Sequence, residues 1–193
     1  MRIAGGEWRG RILKTPEGDA VRPTQDRVRE ALFSMLLNEI PGARFLDLFA
    51  GSGGVGLEAL SRGAAECTFV ELAPRHLVIL RGNVSALAAE PRCTLVRADA
   101  FAWLDVFAGA PFDIAFADPP YELGAEKGYA GMLEAMAAHD VVRQGGLFIA
   151  EMKSRHAPEE SPAWDLCRDR TYGQTRIAVY RRKIFHFPPC AEA

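Results

Sequence analysis

Cysteine is scarce in this sequence, and no pattern typical of a metal site or a membrane segment is present. The 193 residues include four cysteines, without a C-x-x-C pair and without a histidine at metal-ligand spacing from them, at positions 67, 93, 167 and 190. We therefore expect no metal. No apolar run reaches membrane-spanning length and no signal peptide is recognisable, so we expect a cytoplasmic protein with no membrane partner. The apolar share of 49% and the charged share of 25% are typical of one soluble globular domain, or of one domain with a small extension.

Acidic residues are in slight excess, yet both ends of the chain are basic. The formal net charge is −2. Residues 1–30 carry a net +2, residues 31–167 a net −8, and residues 168–183 a net +5. Basic ends on an acidic body suggest a polyanionic partner, although ordinary solvated arginines on edge strands explain the charges about equally well.

The first 40 residues predict an extension that precedes the main domain. "RIAGGEWRGRILK" (2–14) favours two short strands around a glycine-rich turn. After the loop "PEGDAVRP", apolar residues recur at helical spacing, with Thr24 as the expected N-cap and Pro41-Gly42 as the end. The expected domains are this extension (1–40), a main domain (41–183) and a loose tail (184–193).

The main domain alternates strands with helices. Strands are predicted at 44–49, 66–72, 93–98, 112–117, 146–152, 164–170 and 175–182, and helices at about 54–62, 74–89, 100–107 and 128–139. Nearly continuous apolar strands between helices predict an α/β fold with a mostly parallel sheet buried on both faces. The last two strands are joined by a short link, so at least one of them should be antiparallel.

A glycine-rich loop follows the first strand of this domain. "DLFAGSGGVGLEAL" (47–60) contains Gly51, Gly53 and Gly56 in the G-x-G-x-x-G pattern, between a strand and a helix. Glycines there allow a sharp turn and a close approach of the backbone to a ligand. The pattern alone fits NAD, FAD and S-adenosylmethionine alike, or simply a tight turn.

Acidic residues at the ends of successive strands favour S-adenosylmethionine. Asp47 lies on the strand before the glycine loop, where a carboxylate would repel a pyrophosphate but suits a cationic ligand. Glu71 ends the next strand and could accept the ribose hydroxyls, and Asp99 ends the third strand within reach of an adenine amino group. Each could instead be a cap at a strand end. The full set of expected cofactor contacts is Asp47, Phe49, Gly51, Ser52, Gly53, Gly56, Glu71, Asp99 and Ala100.

The fourth strand ends in Asp118-Pro119-Pro120-Tyr121, on the same edge of the sheet. The prolines stiffen the loop and have no N–H to compete for acceptors. Asp118 and the carbonyl of Pro119 could accept the two N–H groups of a planar amine, while Tyr121 stacks on the base. We therefore predict that Asp118, Pro119, Pro120 and Tyr121 hold the exocyclic amine to be methylated, with a rigid turn capped by Asp118 as the structural alternative.

Together, these motifs resemble those of class I S-adenosylmethionine-dependent methyltransferases that act on amino groups. "GGEWRGRILKTPEG" and "RPTQDRVREALFSML" further resemble the N-terminal signature of the bacterial 16S ribosomal RNA guanine-N2 methyltransferase family, methylase D. The resemblance covers about residues 1–183. It implies a Rossmann-like fold, a seven-stranded sheet with one antiparallel strand, and methylation of guanine 966 of 16S rRNA on the small ribosomal subunit. One departure is Ala73, which stands where such enzymes commonly have Asp.

The basic ends then become candidates for RNA binding. We predict contacts from Arg9, Arg11, Lys14, Arg22, Arg27 and Arg29, with help from the cluster Arg181, Arg182 and Lys183, in a protein that acts as a monomer. Other possibilities are an adenine-N6 DNA methyltransferase, a protein-glutamine methyltransferase, an NAD-linked oxidoreductase and an RNA-binding module without a cofactor. The DNA enzyme would usually need a target-recognition domain, and the oxidoreductase shares only the glycine pattern.

Overall fold

The computed structural model describes residues 1–16, 23–120 and 128–185, with the side chains of residues 23–26 left undescribed. Its centre is a sheet of seven strands. They are β1 (Arg44–Leu48), β2 (Glu66–Val70), β3 (Cys93–Val96), β4 (Phe112–Ala117), β5 (Val142–Lys153), β6 (Trp164–Tyr172) and β7 (Thr175–Arg182). The helices are α1 (Pro23–Met35), α2 (Gly54–Ser61), α3 (Pro74–Ala86), α4 (Ala100–Asp105) and α5 (Gly128–Ala138).

The strand order is β3-β2-β1-β4-β5-β7-β6. Strands β1 to β5 are parallel where they pair, and β7 runs antiparallel to both β5 and β6. The prediction of a mostly parallel seven-stranded sheet with one antiparallel strand is therefore confirmed. The order reverses between β1 and β4, so a crevice forms at the carboxyl ends of these strands.

The strands bury both faces, as their nearly continuous apolar runs predict. One face packs against the N-terminal segment and α1, α2 and α3, through residues such as Ile3, Leu32, Phe45, Phe69 and Ile149. The other packs against α4 and α5, through residues such as Leu46, Leu104, Met132, Phe148 and Ala150. The N-terminal extension thus shares a continuous core with the sheet.

Two local predictions in the extension need correction. The two N-terminal strands reduce to one isolated antiparallel bridge between Arg2 and Ile12, supported by backbone hydrogen bonds such as that from the Ile3 N–H to the Arg11 carbonyl. Glycines at 5, 6 and 10 leave the turn between them too irregular for a longer ladder. Thr24 lies within α1, which already includes Pro23, and is therefore not its N-cap. Proline at the start of a helix loses no hydrogen bond, because the first N–H groups have no partner there.

Candidate active site

A cavity of about 890 Å³ opens at the carboxyl ends of β1, β2, β3 and β4. Eight of the residues that line it were predicted from the sequence as site residues: Phe49, Gly51, Glu71, Asp99, Ala100, Asp118, Pro119 and Pro120. The fold therefore brings the predicted cofactor acids and the Asp118-Pro119-Pro120 segment to one cavity. Tyr121 lies outside the described residues.

Asp47 holds the start of a helix and does not line the cavity. Its side chain is 2% exposed, and its Oδ2 accepts a hydrogen bond from the Gly56 N–H at 2.9 Å. Burial raises its pKa to about 7, the Gly56 N–H opposes that rise, and the negative charges of Asp118 and Glu71 add to it. A direct cofactor contact is thus not favoured for Asp47, which instead fixes the geometry of the glycine loop.

Two glycines of the loop are required by close packing. Gly53 precedes α2 with φ of 85°, and a Cβ on it would collide with Leu80. A Cβ on Gly56 would collide with the ring of Phe69 and the sulfur of Cys67, so this glycine lets α2 lie directly on β2. Neither glycine lines the cavity, so both support the site through the packing of α2.

The backbone just after β1 forms the cavity wall. Phe49 adopts a left-handed φ of 61°, which is unusual for a residue with a side chain, and its ring contacts Phe101 edge-on at 5.9 Å between centroids. Ser52 does not line the cavity, but its carbonyl accepts a hydrogen bond from Asn83 Nδ2 at 2.9 Å. The predicted loop residues thus divide into lining residues and supporting residues.

Glu71 connects the glycine loop to the end of β2. Its Oε2 accepts a hydrogen bond from the Gly51 N–H at 2.8 Å, and its Oε1 accepts one from the Ala73 N–H at 2.7 Å. Each carboxylate oxygen keeps a second lone pair for a ligand. The side chain is 8% exposed and lines the cavity, so it is held rigidly where a ribose could meet it.

Asp99 caps helix α4. Its Oδ1 accepts a hydrogen bond from the Ala102 N–H at 3.0 Å. The capping alternative considered for this residue therefore holds, but it leaves Oδ2 available to the cavity that Asp99 also lines. Ala100 beside it is buried and completes this wall.

Asp118 faces the cavity with its carboxyl group. Asp118 is exposed at the cavity, yet the protein around its carboxyl removes enough bulk water to raise its pKa to about 7. In the part of the chain that the structure describes, no hydrogen bond or ion pair to this carboxyl is found. An acid without a partner on a cavity wall is able to accept a hydrogen bond or a proton from a ligand.

Sequence reasoning missed several residues around the cavity. Arg75, His76 and Arg97 line it, and His76 Nδ1 lies 3.6 Å from Glu71 Oε1. Arg75 and His76 lie in the first turn of α3, and nothing in the sequence around them indicates that this turn borders the cavity. Glu151 on β5 was also not predicted as a site residue. Only the pairing of β5 with β4 places it next to Asp118.

The basic residues predicted to bind RNA fall into different environments. Arg9, Lys14 and Arg27 are exposed, and Arg11 is exposed while donating a hydrogen bond to the Ala86 carbonyl at 2.6 Å. Arg29 is 7% exposed and donates to the Arg2 carbonyl at 2.7 Å, so the structure does not favour it as an RNA contact. Arg22 lies outside the described residues.

The second basic cluster is largely engaged within the protein. Arg182 is buried and donates to the Val142 and Ala137 carbonyls and to Asp140. Arg181 pairs with Glu39 at 2.8 Å, and Lys183 lies 3.6 Å from Asp165. The acidic residues in these pairs offset the positive charges. The net +5 of this segment therefore overstates the positive charge that is available to bind RNA.

In residues 1–16, 23–120 and 128–185 no group of three His, Cys, Asp or Glu side chains is arranged to hold a metal ion. No helix within those ranges is long and apolar enough to cross a membrane.

Comparison with known proteins identifies the family. The model of the family described as "Conserved hypothetical protein 95" matches residues 1–181. Ribosomal RNA small subunit methyltransferase D of Escherichia coli K12 is 38% identical over 184 residues, which cover 95% of this chain and 90% of that protein. The chain belongs to the ribosomal RNA small subunit methyltransferase D family.

Other members of the family agree. The Haemophilus influenzae protein of the same name is 32% identical over 184 residues, which cover 94% of this chain and 93% of its own. The solved structure of the Escherichia coli protein yhhF superposes with a TM-score of 0.83 at 36% identity, covering 95% of this chain and 98% of that one. The prediction of this family and its methyltransferase fold is confirmed, and an NAD-linked oxidoreductase is excluded with it.

Proposed function

We propose that this protein transfers a methyl group from S-adenosylmethionine to the exocyclic N2 amine of a guanine in 16S ribosomal RNA, on the small ribosomal subunit. The observation that carries the proposal is the single cavity that joins Glu71 and Asp99 to Asp118-Pro119-Pro120. Its relatives are named as methyltransferases of small-subunit ribosomal RNA. Guanine 966 is the position that the family resemblance implies.

The cofactor would lie along the β1–β3 side of the cavity. Glu71 would accept the ribose hydroxyls and Asp99 the adenine amino group, since each has a lone pair free towards the cavity. Phe49 and Gly51 would border the methionine half. When bound, S-adenosylmethionine supplies the methyl group on a sulfonium, and the protein supplies position and a dry surrounding.

The target amine would meet Asp118. Guanine N2 is a poor nucleophile because its lone pair is delocalised into the ring. A carboxylate that accepts one of its N–H groups orients that lone pair and stabilises the positive charge that develops on nitrogen. Tyr121 is proposed from the sequence to stack on the base, which must leave its stack or already be looped out.

Methyl transfer to purified small subunits tests this proposal. The subunits come from a strain that lacks this protein, and tritiated S-adenosylmethionine is the donor. We expect label in 16S rRNA, recovered as N2-methylguanosine after digestion to nucleosides. Label in N6-methyladenosine, or in ribosomal protein, would contradict the base assignment. Calorimetry supplies the binding control: S-adenosylmethionine should bind and NAD should not.

A further inference from the structure

The carboxyl edge of the sheet carries four acids on one face, three at the same level and the fourth, on β1, two residues before that level. Side chains alternate along a strand, so residues two apart share a face. Asp47 lies on the face of Phe45, Asp118 follows Phe116, and Glu151 follows Ile149, all on the face that packs against α1 and α2. Glu71 follows Phe69 on the same face. We call Glu71, Asp47, Asp118 and Glu151 the acidic row.

Glu151 is the direct neighbour of Asp118 in this row. In the parallel pairing of β4 with β5, Ala117 lies opposite Ala150, so the next position on each strand brings Asp118 beside Glu151. Adjacent parallel strands lie about 4.8 Å apart, which puts the two carboxyl groups within strong electrostatic reach. The negative charge of Asp118 contributes to a raised pKa of Glu151.

The backbone at Glu151 is held from both sides. Its carbonyl accepts a hydrogen bond from the Tyr129 hydroxyl, and its strand position pairs with Ile177 of β7. The side chain is partly buried, and in the described part of the chain no hydrogen bond or ion pair to its carboxyl is found. A rigid, partly buried acid without a partner is costly to keep unless its charge is used.

Among the described residues, Asp118 and Glu151 have acidic neighbours in the acidic row. On the β1 and β2 side the pair meets Asp47 and Glu71, both acidic. Across β5, strand β7 presents Ile177, which carries no charge. Lys153 lies two residues farther along β5 on the same face. Like charges on adjacent strands make each acid bind protons more readily.

We infer that Glu151 is a positioning residue for methyl transfer: because the two adjacent acids share protons, Glu151 sets the pH at which Asp118 can accept a proton from the target amine. This inference rests on the proposed function. Glu151 does not line the cavity, so it acts through Asp118 and does not touch substrate. Burial raises the pKa of Glu151 to about 8, and the charge of Asp118 adds to that rise.

The proton balance of the step is simple. The bond between the methyl carbon and sulfur breaks and leaves its electron pair on sulfur. The lone pair of the amine forms the new carbon–nitrogen bond, and the nitrogen becomes positively charged. One N–H proton then moves to Asp118, is shared with Glu151 and leaves to solvent. No oxidant or further co-reactant is needed.

The test measures the single-turnover rate of methyl transfer to small subunits against pH for wild type, Glu151→Gln and Glu151→Asp. The acid limb of the profile reports ionisation of Asp118. Two interacting acids share their protons, so replacing Glu151 by an uncharged residue should make Asp118 easier to ionise and shift this limb to lower pH by up to about one unit. Its plateau rate should fall severalfold, and Glu151→Asp should restore most of both. Glu134→Gln, which removes an exposed glutamate from α5, is the matched control and should leave the profile unchanged.

Each other outcome has a defined meaning. An unmoved acid limb in Glu151→Gln would overturn the inference, even if the rate falls, because a merely structural role lowers the rate at every pH. The dissociation constant for S-adenosylmethionine should not change in Glu151→Gln. Loss of cofactor binding in this variant would overturn the inference and assign Glu151 to the cofactor site. If the wild-type protein transfers no methyl group, the proposed function is refuted, and the inference about Glu151 fails with it. If only the acid limb of Glu151→Gln fails to move, the proposed function stands.

Discussion

Two acidic centres in this protein differ in burial and in partners. Glu58 of α2 is fully buried, and its carboxylate accepts hydrogen bonds from the Ala4 N–H at 2.8 Å and the Gly5 N–H at 2.9 Å. It also pairs with Arg62 at 2.8 Å and lies 3.6 Å from Arg29. We call these five residues the Glu58 anchor. Asp118, by contrast, accepts no hydrogen bond from the residues that the structure describes.

The difference separates stability from function. Donors around Glu58 stabilise its charge, and they join the N-terminal segment to α2 across more than 50 residues of sequence. In the acidic row, Asp118 and Glu151 have no such donors among the described residues, and loss of hydration raises the pKa of Asp47 and Asp118 to about 7. A centre with satisfied charge stabilises the fold, whereas a centre with unsatisfied charge is available for chemistry.

The largest expected effect comes from Asp118→Asn. Loss of the proton acceptor should reduce the rate of methyl transfer by about 10²–10⁴-fold. Because the isosteric amide removes an unpaired charge, the free energy of unfolding should not decrease. Single-turnover kinetics and urea unfolding measure the two quantities, with Asp105→Asn on the exposed end of α4 as the control. An Asp118→Asn protein that is as active as wild type would remove Asp118 from the reaction.

Glu58→Gln should have the opposite signature. The change removes one partner from buried ion pairs, which typically costs about 3–5 kcal/mol of unfolding free energy. Cofactor affinity of the protein that remains folded should be nearly unchanged, because α2 keeps its contact between Gly56 and Asp47. Urea unfolding and calorimetry at low temperature give both values. The exposed Glu134→Gln should change the unfolding free energy by less than about 0.5 kcal/mol, and an equally small effect of Glu58→Gln would show that the anchor is not structural.

The pH dependence of stability is a smaller and more general consequence. Asp47 and Asp118 have pKa values raised from 3.8 to about 7, and Glu151 from 4.5 to about 8. Between about pH 4 and pH 8 the folded protein therefore binds more protons than the unfolded chain, so the free energy of unfolding should fall as pH rises through this window. Urea unfolding at several pH values measures the slope. Asp118→Asn and Glu151→Gln should each flatten it, and a slope that neither variant changes would contradict the assignment of these acids.

The smallest expected effect concerns the exposed basic residues of the N-terminal segment. Neutralising Arg9 and Lys14 to Gln should weaken binding to small subunits and flatten the slope of log affinity against log salt by roughly 0.7–0.9 for each lost phosphate contact. Cofactor affinity should not change. Binding measured at several salt concentrations tests this, with Arg44→Gln at the start of β1 as the control. Equal slopes for wild type and the double variant would move the RNA contact elsewhere.

The sequence by itself determined most of the fold. Apolar runs bounded by turns predicted all seven strands, because a strand buried on both faces needs such a run. Their ends were less certain: β5 begins at Val142, four residues before the predicted start, since Gly145 and Gly146 weaken the strand signal without ending the strand. The strand-end acids were also visible in the sequence, because the carboxyl ends of parallel strands share one edge of the sheet.

Only the tertiary structure decided what each acid does. Asp47 is bonded to Gly56, Asp99 caps α4, and Glu71 joins two backbone N–H groups, contacts that depend on how each loop turns. Likewise Arg29 and Arg9 are both arginines in a basic segment, yet one is buried beside Glu58 and the other is exposed. Glu151 gave no signal in the sequence because its neighbour Asp118 is 33 residues away, and only the register of β4 with β5 brings the two acids together. A residue's chemical type is local, but its partners and its hydration are set by packing between distant segments.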